Sequence, residues 1–86
     1  MADGGVACGL PRASAIQYAA QMMLGTAKMV LETGQHPGVL KDSVCSPAGS
    51  TIRGVQTLEK CGMRAAVFDA VTVAYEKNVE LKKASD

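Results

Sequence analysis

The chain has 86 residues, enough for one domain with a thin core, because a chain this short buries only about two-thirds or less of its unfolded surface. Hydrophobic residues make up 48%, with one Phe, two Tyr and no Trp, so Ala, Val, Leu and Met carry the packing, which suits helices rather than a strand-rich sandwich. A formal net charge of +1 gives no electrostatic reason for a nucleic-acid or acidic-membrane partner, and no run reaches the ~20 apolar residues that cross a bilayer.

The opening MADGGVACG reads as the last turn of a helix running into glycines, with no capping residue before it and no basic or apolar leader. A fragment of a longer, soluble protein is expected. Leu10-Pro11-Arg12 then opens the clearest element, with Pro11 suited to a first helical position, and Gly34 closes it. Ile16, Ala20, Met23, Ala27 and Val30 form one apolar row, and Ala15, Ala19, Met22 and Met29 a second. Gln17, Gln21, Lys28 and Glu32 are left on a narrow polar stripe. A helix this apolar needs cover on nearly every side. Either a second subunit supplies it, or the helix is the centre of a larger domain.

Pro37 is placed as the first residue of a short helical segment reaching Val44. Next comes the loop VCSPAGST, and then a helix that starts at Ser50 or Thr51, sets Ile52, Val55 and Leu58 on one face and ends at Gly62. A last amphipathic helix, Met63 to about Lys83, sets Phe68, Val71, Tyr75 and Val79 opposite Asp69, Thr72, Glu76 and Glu80. The fold class predicted is all-α, four helices and a helical stump with no sheet, as a single domain spanning 1–86.

The chemistry concentrates in the loop. Ser46 and Pro47 set a turn, Gly49 is read as the residue granting unusual backbone freedom, and the helix start leaves N–H groups without internal partners. Such a start favours a carboxylate or phosphate; the bland alternative is that the Ser50 hydroxyl caps the helix itself. Gly54 in the first turn of a helix costs about 1 kcal/mol relative to alanine, which suggests that a backbone or ligand comes close.

Other chemistries have little support. Ser46 as a nucleophile lacks a base, because the lone His36 beside Pro37 reads as a turn residue or helix cap. Cys8, Cys45 and Cys61 lack metal-ligand spacing and read as buried free thiols of a reducing compartment. No metal site is expected. Neither GxGxxG nor GxxxxGK[ST] occurs, so no dinucleotide or phosphate loop lies in these residues.

The run HPGVLKDSVCSPAGSTIRGVQTLE, ending at Glu59, closely resembles the signature of the pyrroline-5-carboxylate reductases, and MADGGVACGLPR, AAQMMLGTAKMVLETGQHPG and EKCGMRAAVFDAV resemble its flanks. The resemblance covers almost the whole chain and implies the C-terminal helical domain of that family, which interlocks with a second copy in a homodimer and leaves room for a larger assembly of dimers. It further implies that NAD(P)H is bound by an N-terminal dinucleotide-binding domain outside these residues. The implied reaction reduces 1-pyrroline-5-carboxylate to L-proline, in the cytoplasm or in an organelle should a targeting peptide precede.

Carried over by position, Ser46 holds the substrate carboxylate, Gly49 and Ser50 present backbone N–H groups, Val44 lines the apolar side of the ring, and the Thr51 hydroxyl lies near the ring nitrogen as the catalytic candidate. Ala48 replaces a glycine common in the motif and Ser50 a common threonine. Both are small, and the loop is expected to keep its shape. The rival reading is a non-catalytic helical dimerisation module with a vestigial loop.

Overall fold

The computed structural model describes residues 1–85 and contains five helices with no strand among them: α1 (Ala2–Ala7), α2 (Arg12–Thr33), α3 (Pro37–Val44), α4 (Ser50–Lys60) and α5 (Met63–Ser85). The predicted all-α class holds. The chain divides into two compact units, one covering Met1–Ser43 and the other beginning at Val44.

In the first unit α1 packs on α2 because Gly5 lacks a side chain. A β-carbon there would stand 3.3 Å from the Ala15 β-carbon and 3.3 Å from Leu10, tighter than ordinary packing allows. Ala15 is the one buried hydrophobic residue among those described. An Arg12 to Asp3 ion pair of 2.5 Å also links the two helices. Pro11 lies one step earlier than its proline signature suggested: its extended ψ of 144° makes it the N-cap, and Arg12 begins the helix. The residue ahead of a helix takes such non-helical backbone, and either position tolerates the missing N–H.

Gly34 ends α2 in the left-handed conformation, φ 65°, and donates its N–H to the Val30 carbonyl at 3.1 Å. Pro37 begins α3 as expected. His36 caps it: Nδ1 accepts the Gly38 N–H at 2.9 Å, and the His36 carbonyl accepts the Val39 N–H at 2.9 Å. The turn and cap reading of this histidine is thereby confirmed.

In the second unit α4 runs into α5 through Cys61 and Gly62. Gly62, at φ 76°, lies just beyond the last α4 residue, and the Arg64 side chain reaches back to Glu59. The apolar face expected of α5 is present but uncovered within the chain, with Phe68 72%, Val71 66% and Tyr75 67% exposed. The same holds on α2 for Ile16, Met22 and Met23. The cysteines depart from expectation, since Cys8 and Cys61 are exposed and Cys45 is half-buried.

Candidate functional site

All five residues singled out from the sequence, Val44, Ser46, Gly49, Ser50 and Thr51, fall in the second unit, on the end of α3, the connecting loop and the start of α4. The loop is a tight turn. The Gly49 N–H donates to the Ser46 carbonyl at 3.1 Å, closing a four-residue turn with Pro47 and Ala48 at its centre. Proline at the second position, positive φ at the third and this hydrogen bond together define a type II turn.

The left-handed residue is Ala48, φ 57°, and not Gly49, which has φ −77° and ψ 174°. The reading that gave Gly49 special backbone freedom is therefore corrected: any residue can adopt extended backbone. What Gly49 provides is room: a β-carbon placed on it would collide with the Ser46 hydroxyl oxygen, which would have to rotate away, and would stand 3.4 Å from the Ser46 carbonyl oxygen.

The helix start is uncapped by any side chain. Gly49 occupies the N-cap with no side-chain hydrogen bond, so the alternative in which Ser50 closes the helix with its own hydroxyl is not what forms. Because α4 begins at Ser50, the first intrahelical bond runs from the Arg53 N–H to the Gly49 carbonyl at 3.4 Å. The N–H groups of Ser50, Thr51 and Ile52 donate to nothing among the described residues. The free donors are thus displaced one residue along from the expected pair, since the Gly49 N–H is engaged in the turn. Ile52 was missed because its apolar side chain draws attention from its amide.

These three amides sit at the positive end of the α4 dipole, and Arg53 follows them with no ion pair among the described residues. Val44, Ser46, Ser50 and Thr51 are exposed, and Gly49 is half-buried. The arrangement can hold one anion through backbone donors. No group of three or more His, Cys, Asp or Glu side chains gathers among the described residues in a way that would hold a metal ion.

The family model for pyrroline-5-carboxylate reductase dimerisation matches residues 1–81, across both compact units. The chain belongs to this family. It is 58% identical over 83 residues to a pyrroline-5-carboxylate reductase of Escherichia coli (strain K12), covering 96% of this chain and 31% of that protein. It is 48% identical over 86 residues to pyrroline-5-carboxylate reductase 2 of Bos taurus, covering 100% of this chain and 27% of the relative. The chain thus spans about a third of the length of these reductases.

Two crystal structures share the fold. The Plasmodium falciparum pyrroline carboxylate reductase with NADP bound superposes with a TM-score of 0.83 at 37% identity, over 88% of this chain and 29% of that one. The 1-pyrroline-5-carboxylate reductase of Streptococcus pyogenes gives 0.76 at 38% identity, over 80% and 27%. Family membership identifies these helices as the dimerisation module of the family. No helix among the described residues is long and apolar enough to cross a membrane.

Proposed function

We propose that these 86 residues are the C-terminal dimerisation and substrate-binding domain of an NAD(P)H-dependent reductase that converts 1-pyrroline-5-carboxylate to L-proline. The observation that carries the reading is the uncapped start of α4, where Ser50, Thr51 and Ile52 leave three amide donors at a helix dipole in a member of this family. The substrate's one permanent negative charge is its carboxylate, which such a start binds through N–H donors rather than a lysine or arginine. Ser46 adds a side-chain hydroxyl across the turn, and Val44 offers an apolar surface to the ring methylenes.

The Thr51 hydroxyl projects from the same first turn and is assigned to the imine nitrogen. Holding the carboxylate at one end and this nitrogen near a hydroxyl fixes which face of the C=N carbon is presented, so the domain contributes orientation and charge matching rather than a nucleophile. The described residues contain no strand and the sequence no glycine fingerprint, the features of a dinucleotide-binding domain. NAD(P)H, the hydride source, is held by a part of the enzyme outside these residues.

The domain works as a homodimer in this reading. The homodimer is supported by the match to the family's dimerisation model and by apolar side chains left uncovered within each unit, Ile16 and Met23 in the first, Phe68 and Val71 in the second. A cytoplasmic setting suits the three free thiols.

The test replaces the matching 31% of the Escherichia coli reductase with these residues and follows NADPH oxidation on addition of 1-pyrroline-5-carboxylate. Turnover is expected from the hybrid and none from the 86 residues alone. A folded, dimeric hybrid that oxidises no NADPH would overturn the proposal.

A further inference from the structure

Ala48 is the only non-glycine residue with positive φ among those described. It sits at the third position of the Ser46–Gly49 turn, where a type II geometry demands the left-handed backbone that glycine adopts freely and alanine does not. Pro47 offers no protection, because its fixed φ suits the second position of both type I and type II turns. Rotating the Pro47–Ala48 peptide by half a turn exchanges one form for the other. That rotation returns Ala48 to negative φ and keeps the Gly49 to Ser46 hydrogen bond, so the alternative costs no hydrogen bond within the turn.

The two forms differ in what they offer a ligand. Rotation exchanges the sides on which the Pro47 carbonyl oxygen and the Ala48 N–H lie, and that N–H donates to nothing among the described residues. The two forms therefore differ in which side of the turn carries a free donor and which carries a carbonyl dipole. We propose that Ala48 is a positioning residue that sets the affinity of this loop for a carboxylate. The turn exists as two interconverting forms, the type II form binds, and residue 48 fixes how much of the population is in it.

The inference rests on the carboxylate-binding reading of the loop and adds its control point. Ligand affinity is divided by the fraction of molecules in the competent form. Residues tolerant of left-handed backbone at position 48 raise that fraction, and β-branched residues lower it. The ordering differs from any ordering by bulk, because asparagine and valine are close in size and opposite in tolerance.

The experiment compares the full chain with its Ala48→Gly, Ala48→Asn and Ala48→Val variants. One measurement is the NOE from the Pro47 α-proton to the amide proton of residue 48, strong in a type II turn and weak in type I, recorded without ligand. The other is the dissociation constant for L-proline, read from the amide shifts of Ser50, Thr51 and Ile52. Gly and Asn are expected to strengthen the NOE and to bind up to about 2-fold more tightly than Ala, with Val weaker than Ala by about 5-fold. Asn behaving like Val, or affinity that ignores the NOE ranking, overturns this inference while leaving the binding loop in place. Absence of L-proline binding in all four chains overturns the functional reading and this inference with it.

Discussion

The Arg64 guanidinium grips the Glu59 carboxylate through two hydrogen bonds, Nε to one oxygen at 2.8 Å and a terminal nitrogen to the other at 2.6 Å, across the Cys61–Gly62 turn. This two-point grip joins the last turn of α4 to the first of α5 and so helps set the angle between them. Hydrogen bonding to Glu59, and then its charge, raise the pKa of Arg64 above its ordinary value, reinforcing a charge that arginine carries in any case. The pair is well exposed on the Arg64 side, which limits its worth in water. Arg64→Lys keeps the charge and loses the fork. A small fall in melting temperature is expected at low salt, shrinking in 1 M salt as screening removes the attraction; a fall independent of salt would show that packing, not the ion pair, matters.

Thr51 should separate chemistry from cofactor binding. In the proposed reading its hydroxyl serves the imine nitrogen, and the dinucleotide is held outside these residues. In the hybrid reductase Thr51→Ala removes one hydrogen bond to the reacting end of the substrate, worth about 1–2 kcal/mol, or roughly 5- to 30-fold in kcat/KM. The NADPH dissociation constant should stay within about 2-fold, a change of less than 0.5 kcal/mol. Steady-state kinetics and cofactor titration on the same preparation decide it, and equal losses in both would remove Thr51 from the substrate end.

The element boundaries were legible because they rest on local chemistry that acts whatever surrounds it. Gly34 and Gly62 adopt left-handed backbone at helix ends, Pro37 starts α3, and His36 caps it. The loop was legible in part. Its uncapped helix start follows from the absence of a suitable side chain at Gly49, but the left-handed position was assigned to the glycine when the turn hydrogen bond places it on Ala48. Local preference alone points to glycine; the closure between Ser46 and Gly49 overrides it. The cysteines were misread for a different reason, since burial depends on neighbours and these helices, taken as one chain, have too few to cover Cys8 or Cys61.

Gly54 tests where that missing cover lies. It sits within the first half of α4, and a β-carbon added there meets nothing within 4 Å, so nothing in this chain explains the helix propensity that glycine forfeits. Gly54→Ala should raise the intrinsic stability of α4 by about 1 kcal/mol. If a second copy approaches this backbone, the same methyl group obstructs it, and the expected outcome is weaker self-association, with the dimer dissociation constant rising about 5-fold or more, equivalent to about 1 kcal/mol. Equilibrium sedimentation of both chains reads the effect. A higher melting temperature with unchanged association would place the contact elsewhere.

Self-association itself is the prediction on which the stability of these helices turns. Ala15 alone is buried among the described residues, while α2 and α5 present Ile16, Met23, Phe68 and Val71 to solvent at more than half exposure. An uncovered apolar row on each helix marks an interaction face, not a monomer's exterior. Folding and dimerisation should therefore be one transition, with a melting temperature that rises with chain concentration. Dilution from micromolar to nanomolar chain should lower helicity by circular dichroism in step with the loss of the dimer in sedimentation. A helical monomer persisting at the lowest concentration would mean that the two units are stable on their own local packing, and would break the link between family membership and the uncovered faces.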